Sequence, residues 1–276
     1  MSATTAGRTA RRTARRVGDS NWLEVLTRIG FVGYGLLHLA IAWLAVEIAM
    51  GRQTGKADQS GAFRLLLRQP LGRVLLIVIA IGLTAMALWQ LLLAAVGHRQ
   101  LTGRQRTMQR LASLGRTIIY AALAWTAFAV WAGSTTSSST SQQHATAGVL
   151  GDPAGRWLVG LAGLIVTAIG VGMVIYGAKR GFERNLMLTR MSSPVRRGVI
   201  TLAIIGYVAR GIAFAIVGVL LCDAALADSV RRSQGLDGAL RTLAAQPFGG
   251  LLLGVVAAGF AAYGIYCFFQ ARYRKV

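Results

Sequence analysis

The sequence predicts an all-α membrane protein in which six transmembrane helices form three tandem helix pairs about a pseudo-threefold axis, and three observations predict it. First, the 276 residues are 54% hydrophobic and only 14% charged, with mean hydropathy +0.54, too apolar for a water-soluble domain of this length. Second, six apolar stretches, near 29–50, 72–97, 113–133, 156–178, 199–222 and 249–271, can each cross a hydrocarbon core of about 30 Å at about 1.5 Å per residue. Third, the punctuation between the stretches repeats. Without water every backbone amide must be bonded inside its own segment, so the stretches are helices and strands are excluded.

The chain divides into a tail, 1–20, and helix pairs at 21–99, 110–186 and 196–276. The tail carries Arg8, Arg11, Arg12, Arg15 and Arg16 among Ser, Thr, Ala and Gly, with nothing apolar to fold against, and reads as a disordered basic cytoplasmic tail. Its paired arginines resemble a twin-arginine export signal, but the following apolar consensus and a small-residue cleavage site are missing. The first apolar run is therefore a retained helix. Basic residues set the orientation: six up to Arg28, five in 98–116, six in 179–198 and three at the C-terminus, against five, one and three in the alternate connections. Loops rich in Lys and Arg stay cytoplasmic, so both termini are expected inside. Asp19, Glu24 and Glu183 then lie inside, and Glu47, Asp58, Asp152, Asp223, Asp228 and Asp237 outside. Cys222 and Cys267 fall toward opposite faces, so no disulfide between them and no metal set is expected.

The repeat is legible at both ends of each pair. Ile29-Gly30-Phe31-Val32-Gly33-Tyr34-Gly35 lies over Ile205-Gly206-Tyr207-Val208-Ala209-Arg210-Gly211, with Leu114-Gly115-Arg116-Thr117-Ile118-Ile119-Tyr120 as the middle copy. At the same offset Glu47 falls on Asp223. In the outer connections Gly61-Ala62-Phe63-Arg64 and Gln69-Pro70-Leu71-Gly72 match Gly238-Ala239-Leu240-Arg241 and Gln246-Pro247-Phe248-Gly249, while Asp152-Pro153-Ala154-Gly155 marks the middle copy. Ser60 and Asp237 are expected to cap a short helix, and Pro70, Pro153 and Pro247 to open the membrane helix that follows. Between cap and proline, Phe63, Leu65, Leu66, Leu67, Leu240 and Leu243 predict short amphipathic helices in the interface, with Arg64 and Arg68 snorkelling to headgroups. In the middle copy a Ser/Thr tract, Gly133 to Gln143, replaces that connection.

On these motifs the chain resembles a bacterial membrane family classed as domain of unknown function 1206, in which a transmembrane helix pair occurs three times. The resemblance covers nearly everything after the tail, its most specific element being Gly-Ala-Leu-Arg-Thr-Leu with Gln-Pro-Phe-Gly in the third copy. It implies architecture and a bacterial cytoplasmic membrane, and lends no activity or catalytic residues. Two helices per copy make the copies parallel, related by an axis near the membrane normal. Small residues such as Gly177 with Gly181, or Gly250 with Gly254, would let helices approach closely.

Five side chains are candidates for function. Arg210 is a charge inside a membrane helix, and reads either as an anion or lipid-headgroup contact within the bundle or as a snorkelling side chain. Tyr34 is its repeat mate. Glu47 and Asp223, near the outer ends of equivalent helices, could serve protons or cations, or simply be solvated. His38 sits within the first helix without a second histidine to share a haem or zinc, so a packed core histidine is the expectation, and no cofactor is implied. Trp22, Trp43, Trp89, Trp125, Trp131 and Trp157 suit an aromatic belt.

The formal charge of +21 does not indicate nucleic acid, because the arginines gather in connections and the tail; anionic lipids are the expected partner there, at about 1 kcal/mol per basic residue. A phosphate loop, nucleophile elbow and placed acid pair are missing, so no enzyme is expected. The sequence reads as a non-enzymatic accessory or scaffold component that packs on another membrane protein or a second copy, or interacts with lipid. The alternative is a small-solute or ion transporter or channel lined by Arg210, Glu47 and Asp223, and a third reading is membrane-embedded redox or quinone binding.

Overall fold

The computed structural model describes residues 21–52, 56–97, 102–150, 155–227 and 235–274. Six long helices, α1 (Asn21–Ala49), α3 (Gly72–Val96), α4 (Gly103–Trp131), α6 (Gly155–Ala178), α7 (Ser193–Leu226) and α9 (Gly249–Tyr273), are long and apolar enough to cross a membrane. Three short ones, α2 (Gln59–Leu67), α5 (Ser138–Leu150) and α8 (Leu236–Ala244), lie between the helices of each pair. The basic tail, Asp152, Pro153, Ala154, Asp228, Arg231, Arg232 and His98 lie outside the described residues. Around the perimeter large apolar side chains such as Trp125, Trp157, Leu164 and Leu251 are exposed, a surface that water would penalise and lipid does not.

The long helices form a ring whose order reveals the threefold relation. The second helix of each pair packs on the first helix of the next: α3 on α4, α6 on α7, and α9 back on α1. Within pairs, α1 packs on α3 and α7 on α9, but α4 and α6 stand apart. Glycines make these approaches possible, because a helix without a Cβ can bring its axis close to a neighbour. A Cβ on Gly30 or Gly206 would fall 2.9 Å from Met86 Cγ and 2.7 Å from Tyr263 Cα, in the pair partner. Five residues on, a Cβ on Gly35 or Gly211 would fall 2.8 Å from Gly264 O and 2.6 Å from Gly170 O, in the preceding pair. The middle copy follows the same rule by exception: Gly115 meets nothing within 4 Å, as expected where α4 and α6 are parted. Of the four-residue glycine pairs read from sequence, Gly177 does pack, against Tyr207, whereas Gly254 faces open space and Gly181 lies beyond the helix end.

The short helices close one end of the ring and correct several details. They do more than lie in an interface, because Phe63 of α2 and Leu240 of α8 are completely buried in the bundle core. The Ser/Thr tract of the middle copy does not abolish the corresponding helix, since α5 forms from it. The helix caps are Asp58 and Gly235, two residues before Ser60 and Asp237. Pro70 and Pro247 likewise stand outside the membrane helices, whose caps are Leu71 and Phe248, both in the left-handed region with φ of 61° and 59°. Arg64 does not snorkel; its guanidinium donates to the carbonyls of Thr135 and Thr136 at 3.5 and 3.4 Å and pins the middle connection.

Buried carboxylates bind the three short helices together. Asp58 Oδ1 accepts from Gly61 N at 2.8 Å and from Ser60 Oγ at 2.7 Å, while its Oδ2 accepts from Ser139 N at 3.0 Å, so one side chain caps α2 and α5 at once. Asp237 Oδ1 accepts from Ala57 N at 2.8 Å, and its Oδ2 accepts from Arg241 Nε at 3.0 Å. Without Asp58 the Gly61 and Ser139 amides would be helix-end donors lacking this partner. The opposite end of the ring is closed by the 179–192 connection, where Phe182 and Leu186 are buried and Met187 N donates to Tyr273 O at 2.8 Å.

Candidate functional site

The ring axis is occupied by side chains, and one of them is charged. Arg210, midway along α7, points between α1 and α9. Its Nη1 donates to the Tyr263 hydroxyl at 2.9 Å and its Nη2 to the Tyr34 hydroxyl. The guanidinium carbon lies 5.3 Å from the Tyr34 ring centre, 4.9 Å from that of Tyr263 and 5.4 Å from that of Phe214. Among the described residues it meets no carboxylate. The negative faces of three aromatic rings and two hydroxyl oxygens therefore take the place of a counter-ion, which suits a guanidinium, more weakly hydrated than an ammonium.

The repeat explains why these particular groups meet. Tyr34 and Arg210 occupy equivalent positions in the first and third copies, and two equivalent side chains that touch must both lie near the axis relating them. The middle copy sends a different residue to the centre: Ile119, the aligned position, is exposed, and the neighbouring Tyr120 faces Tyr34 with ring centres 6.1 Å apart. His38 joins the cluster one turn beyond Tyr34. Its Nδ1–H donates to Tyr34 O at 2.7 Å, and its ring packs on Tyr263 and Phe260 at 4.8 and 6.0 Å. This is a core histidine held by hydrogen bond and stacking. Among the described residues no three His, Cys, Asp or Glu side chains gather as metal ligands would.

Of the five residues picked from sequence, the structure brings together Arg210, Tyr34 and His38. Glu47 and Asp223 stand near the short-helix end, about 20 Å along their helices from Tyr34 and Arg210 at about 1.5 Å per residue. They do not line one site with the arginine. Sequence reasoning missed Tyr263, Tyr120 and Phe214, and also Tyr207 and Tyr266, which continue the aromatic packing toward Phe182. A usable signal existed: these tyrosines fall inside apolar runs rather than at their ends, where a belt would place them. The axis is thus filled from Phe63 and Leu240 at one end, through the arginine cluster, to Tyr266 and Phe182 at the other.

Off the axis, a cavity of about 510 Å³ lies between α5, α6, α7 and the start of α8, and reaches Phe214, the ring that backs onto Arg210. A second, almost wholly apolar hollow lies between α3 and α4 and faces outward through Trp89, Trp125 and Leu88.

The family described as Domain of Unknown Function (DUF1206) matches the chain three times, at residues 29–97, 111–180 and 205–274. Over 258 residues, 92% of each chain, the sequence is 30% identical to the uncharacterized protein YxxB of Bacillus subtilis (strain 168). No solved structure matches it.

Proposed function

The chain belongs to the family described as Domain of Unknown Function (DUF1206), and from that premise we propose a non-enzymatic accessory or scaffold component of the bacterial cytoplasmic membrane, which engages lipid or another membrane protein through its perimeter. The observation that supports this reading is the filled axis. A solute pathway between the two faces would need a polar, water-accessible route, but the half-buried cation on the axis is flanked by aromatic rings and hydrogen-bonded to two tyrosines, and a buried phenylalanine stands toward each end. The transport reading also asked Arg210, Glu47 and Asp223 to converge, and they do not. The asymmetry of basic residues supports cytoplasmic termini, with α2, α5 and α8 at the outer face. Anionic lipid at the basic connections follows from the same charges.

Flux measurement tests the reading. The full chain reconstituted in liposomes is expected to leave ion and small-solute leakage at the level of protein-free vesicles. Flux above that level that falls when Arg210 is replaced by Ala would overturn it.

A further inference from the structure

Arg210 remains accessible although its partners are not. Tyr34 and Tyr263, which hold it, are 5% and 4% exposed and His38 beside them is buried, yet the arginine is only half-buried. Its open side therefore faces away from α1 and α9, toward the breach where α4 and α6 stand apart. Tyr207, Phe214 and Val217, on the same stripe of α7, are half-buried as well. The tyrosine hydroxyls take two of the five N–H donors of a guanidinium, and among the described residues the others have no partner.

Further guanidiniums surround the breach close to that level. The repeat sets Arg116 of α4 level with Phe31 and Tyr207, three residues and so about 4.5 Å from the level of Arg210. Arg116 is exposed. Arg274 is held nearby, its backbone bridged to Leu186 and its guanidinium carbon 4.7 Å from the Phe31 ring centre. Tyr120 of α4, which faces Tyr34, and Tyr176 of α6, which faces Tyr207, stand on the two sides of the gap. The charges of Arg116 and Arg274 act on both of these hydroxyls, that of Arg210 on the first and that of Arg184 on the second. Among the described residues no carboxylate pairs with Arg116, Arg210 or Arg274, and the 179–192 connection adds Lys179, Arg180, Arg184 and Arg190 against one acid, Glu183.

Like charges gathered in a partly desolvated cleft repel one another, and an anion that enters turns this repulsion into attraction. Phosphate suits the cluster best, because guanidiniums bind it through paired N–H donors and several can share its oxygens. The way in is lateral. Ile119 beside Tyr120 and Ile175 beside Tyr176 are exposed on the apolar perimeter, whereas the end of the ring is closed by buried Phe182 and Leu186. An ion dissolved in water meets hydrocarbon on that route, but a lipid brings its headgroup along it while its acyl chains stay in the bilayer.

We propose that the breach between α4 and α6 binds the phosphate of an anionic glycerophospholipid, which passes between Tyr120 and Tyr176, is met by Arg116 and Arg274, and reaches Arg210. The proposal deepens the lipid-engaging part of the function proposed above, drawing the lipid from the cytoplasmic leaflet, and rests on it. The full chain, purified in a non-ionic detergent, is titrated with phosphatidylglycerol, with phosphatidylethanolamine or with inorganic phosphate, and bound molecules are counted by native mass spectrometry. A single tightly held phosphatidylglycerol is expected, with phosphatidylethanolamine about tenfold weaker because its headgroup carries no net charge. Arg116→Gln and Arg210→Met should each weaken phosphatidylglycerol binding about tenfold, the effect of losing one guanidinium from the phosphate. Arg104→Gln and Arg196→Gln, exposed at the same end of the bundle but outside the breach, should leave it unchanged.

Equal losses from all four substitutions would mean diffuse attraction to basic residues and overturn the proposal. So would binding unchanged in either site variant, equal retention of the two lipids, or displacement of phosphatidylglycerol by inorganic phosphate, which would mark a site for a free ion. If Arg210→Met does not fold, Arg116→Gln decides alone, since its side chain is exposed. Each of these failures leaves the broader reading intact, whereas failure of that reading is a separate result, read as Arg210-dependent flux.

Discussion

The arginine on the axis is held by aromatic faces and hydroxyl oxygens, and this choice of partners sets what each substitution should do. Tyr34→Phe together with Tyr263→Phe keeps the rings but removes both hydrogen-bond acceptors of a charge within the bundle. The double change should lower unfolding free energy by about 2–4 kcal/mol in denaturing-detergent titration, because the guanidinium is left with unsatisfied donors. Arg210→Met removes the charge, fills a similar volume and should cost less; placed on the double-Phe background, it should recover part of the loss. If Arg210→Met is the more damaging change, the arginine serves something other than holding α7 to α1 and α9. From sequence, Arg210 and Tyr34 were visible because a charge is rare in an apolar run and because the repeat aligns the two. Tyr263 and Phe214 were not, since their part depends on which faces of α9 and α7 turn inward, and an all-round apolar helix does not announce its inner face.

At the scale of the helix, the five-residue glycine spacing works as a two-sided contact device. Its first glycine, Gly30 or Gly206, lets the helix approach its own partner, and its second, Gly35 or Gly211, lets it approach the preceding pair. Gly206→Ala should therefore lower the thermal midpoint, because the added carbon would lie 2.7 Å from the Tyr263 backbone and the helices would have to part. Gly115→Ala should leave it unchanged or raise it, since alanine favours a helix interior by about 1 kcal/mol and nothing stands nearby. Thermal melts of the two variants in one detergent decide the matter, and equal losses would mean that α4 and α6 pack after all. The helices themselves were legible in the sequence because length and hydropathy force them in lipid. The cap of α2 lies two residues before Ser60, at Asp58, which serves two helices at once through a second partner, Ser139, remote in the chain. The Ser/Thr tract hid α5 for a related reason: the polar helix is held by Ser60 and Asp58 of another connection, and its own composition carries little helix signal.

For the molecule as a whole, the threefold order means that the first and last helices are neighbours. Residues 21 and 274 lie on the same side of the ring, since each copy contributes two long helices of opposite direction. A permuted chain that joins residue 274 to residue 21 through a polar linker and begins at residue 102 should therefore insert and keep its thermal midpoint within a few degrees. Aggregation of that permutant on extraction would show that the original chain order is needed for more than geometry. The breach between α4 and α6 is a departure from equivalence in the ring, and Asp58 and Arg64 bond to the middle connection beside it. Sequence foretold the symmetry but not the breach, which shows in the missing α4–α6 packing and in the open space beside Gly115. Closure of α9 on α1 also has a temporal side. A ribosome releases α1 first and α9 last, so the most enclosed of the six helices is also the one that waits longest for its partner. Until that final helix arrives the Gly35 side of α1 lacks its partner, which makes the nascent chain a natural client for a membrane insertase.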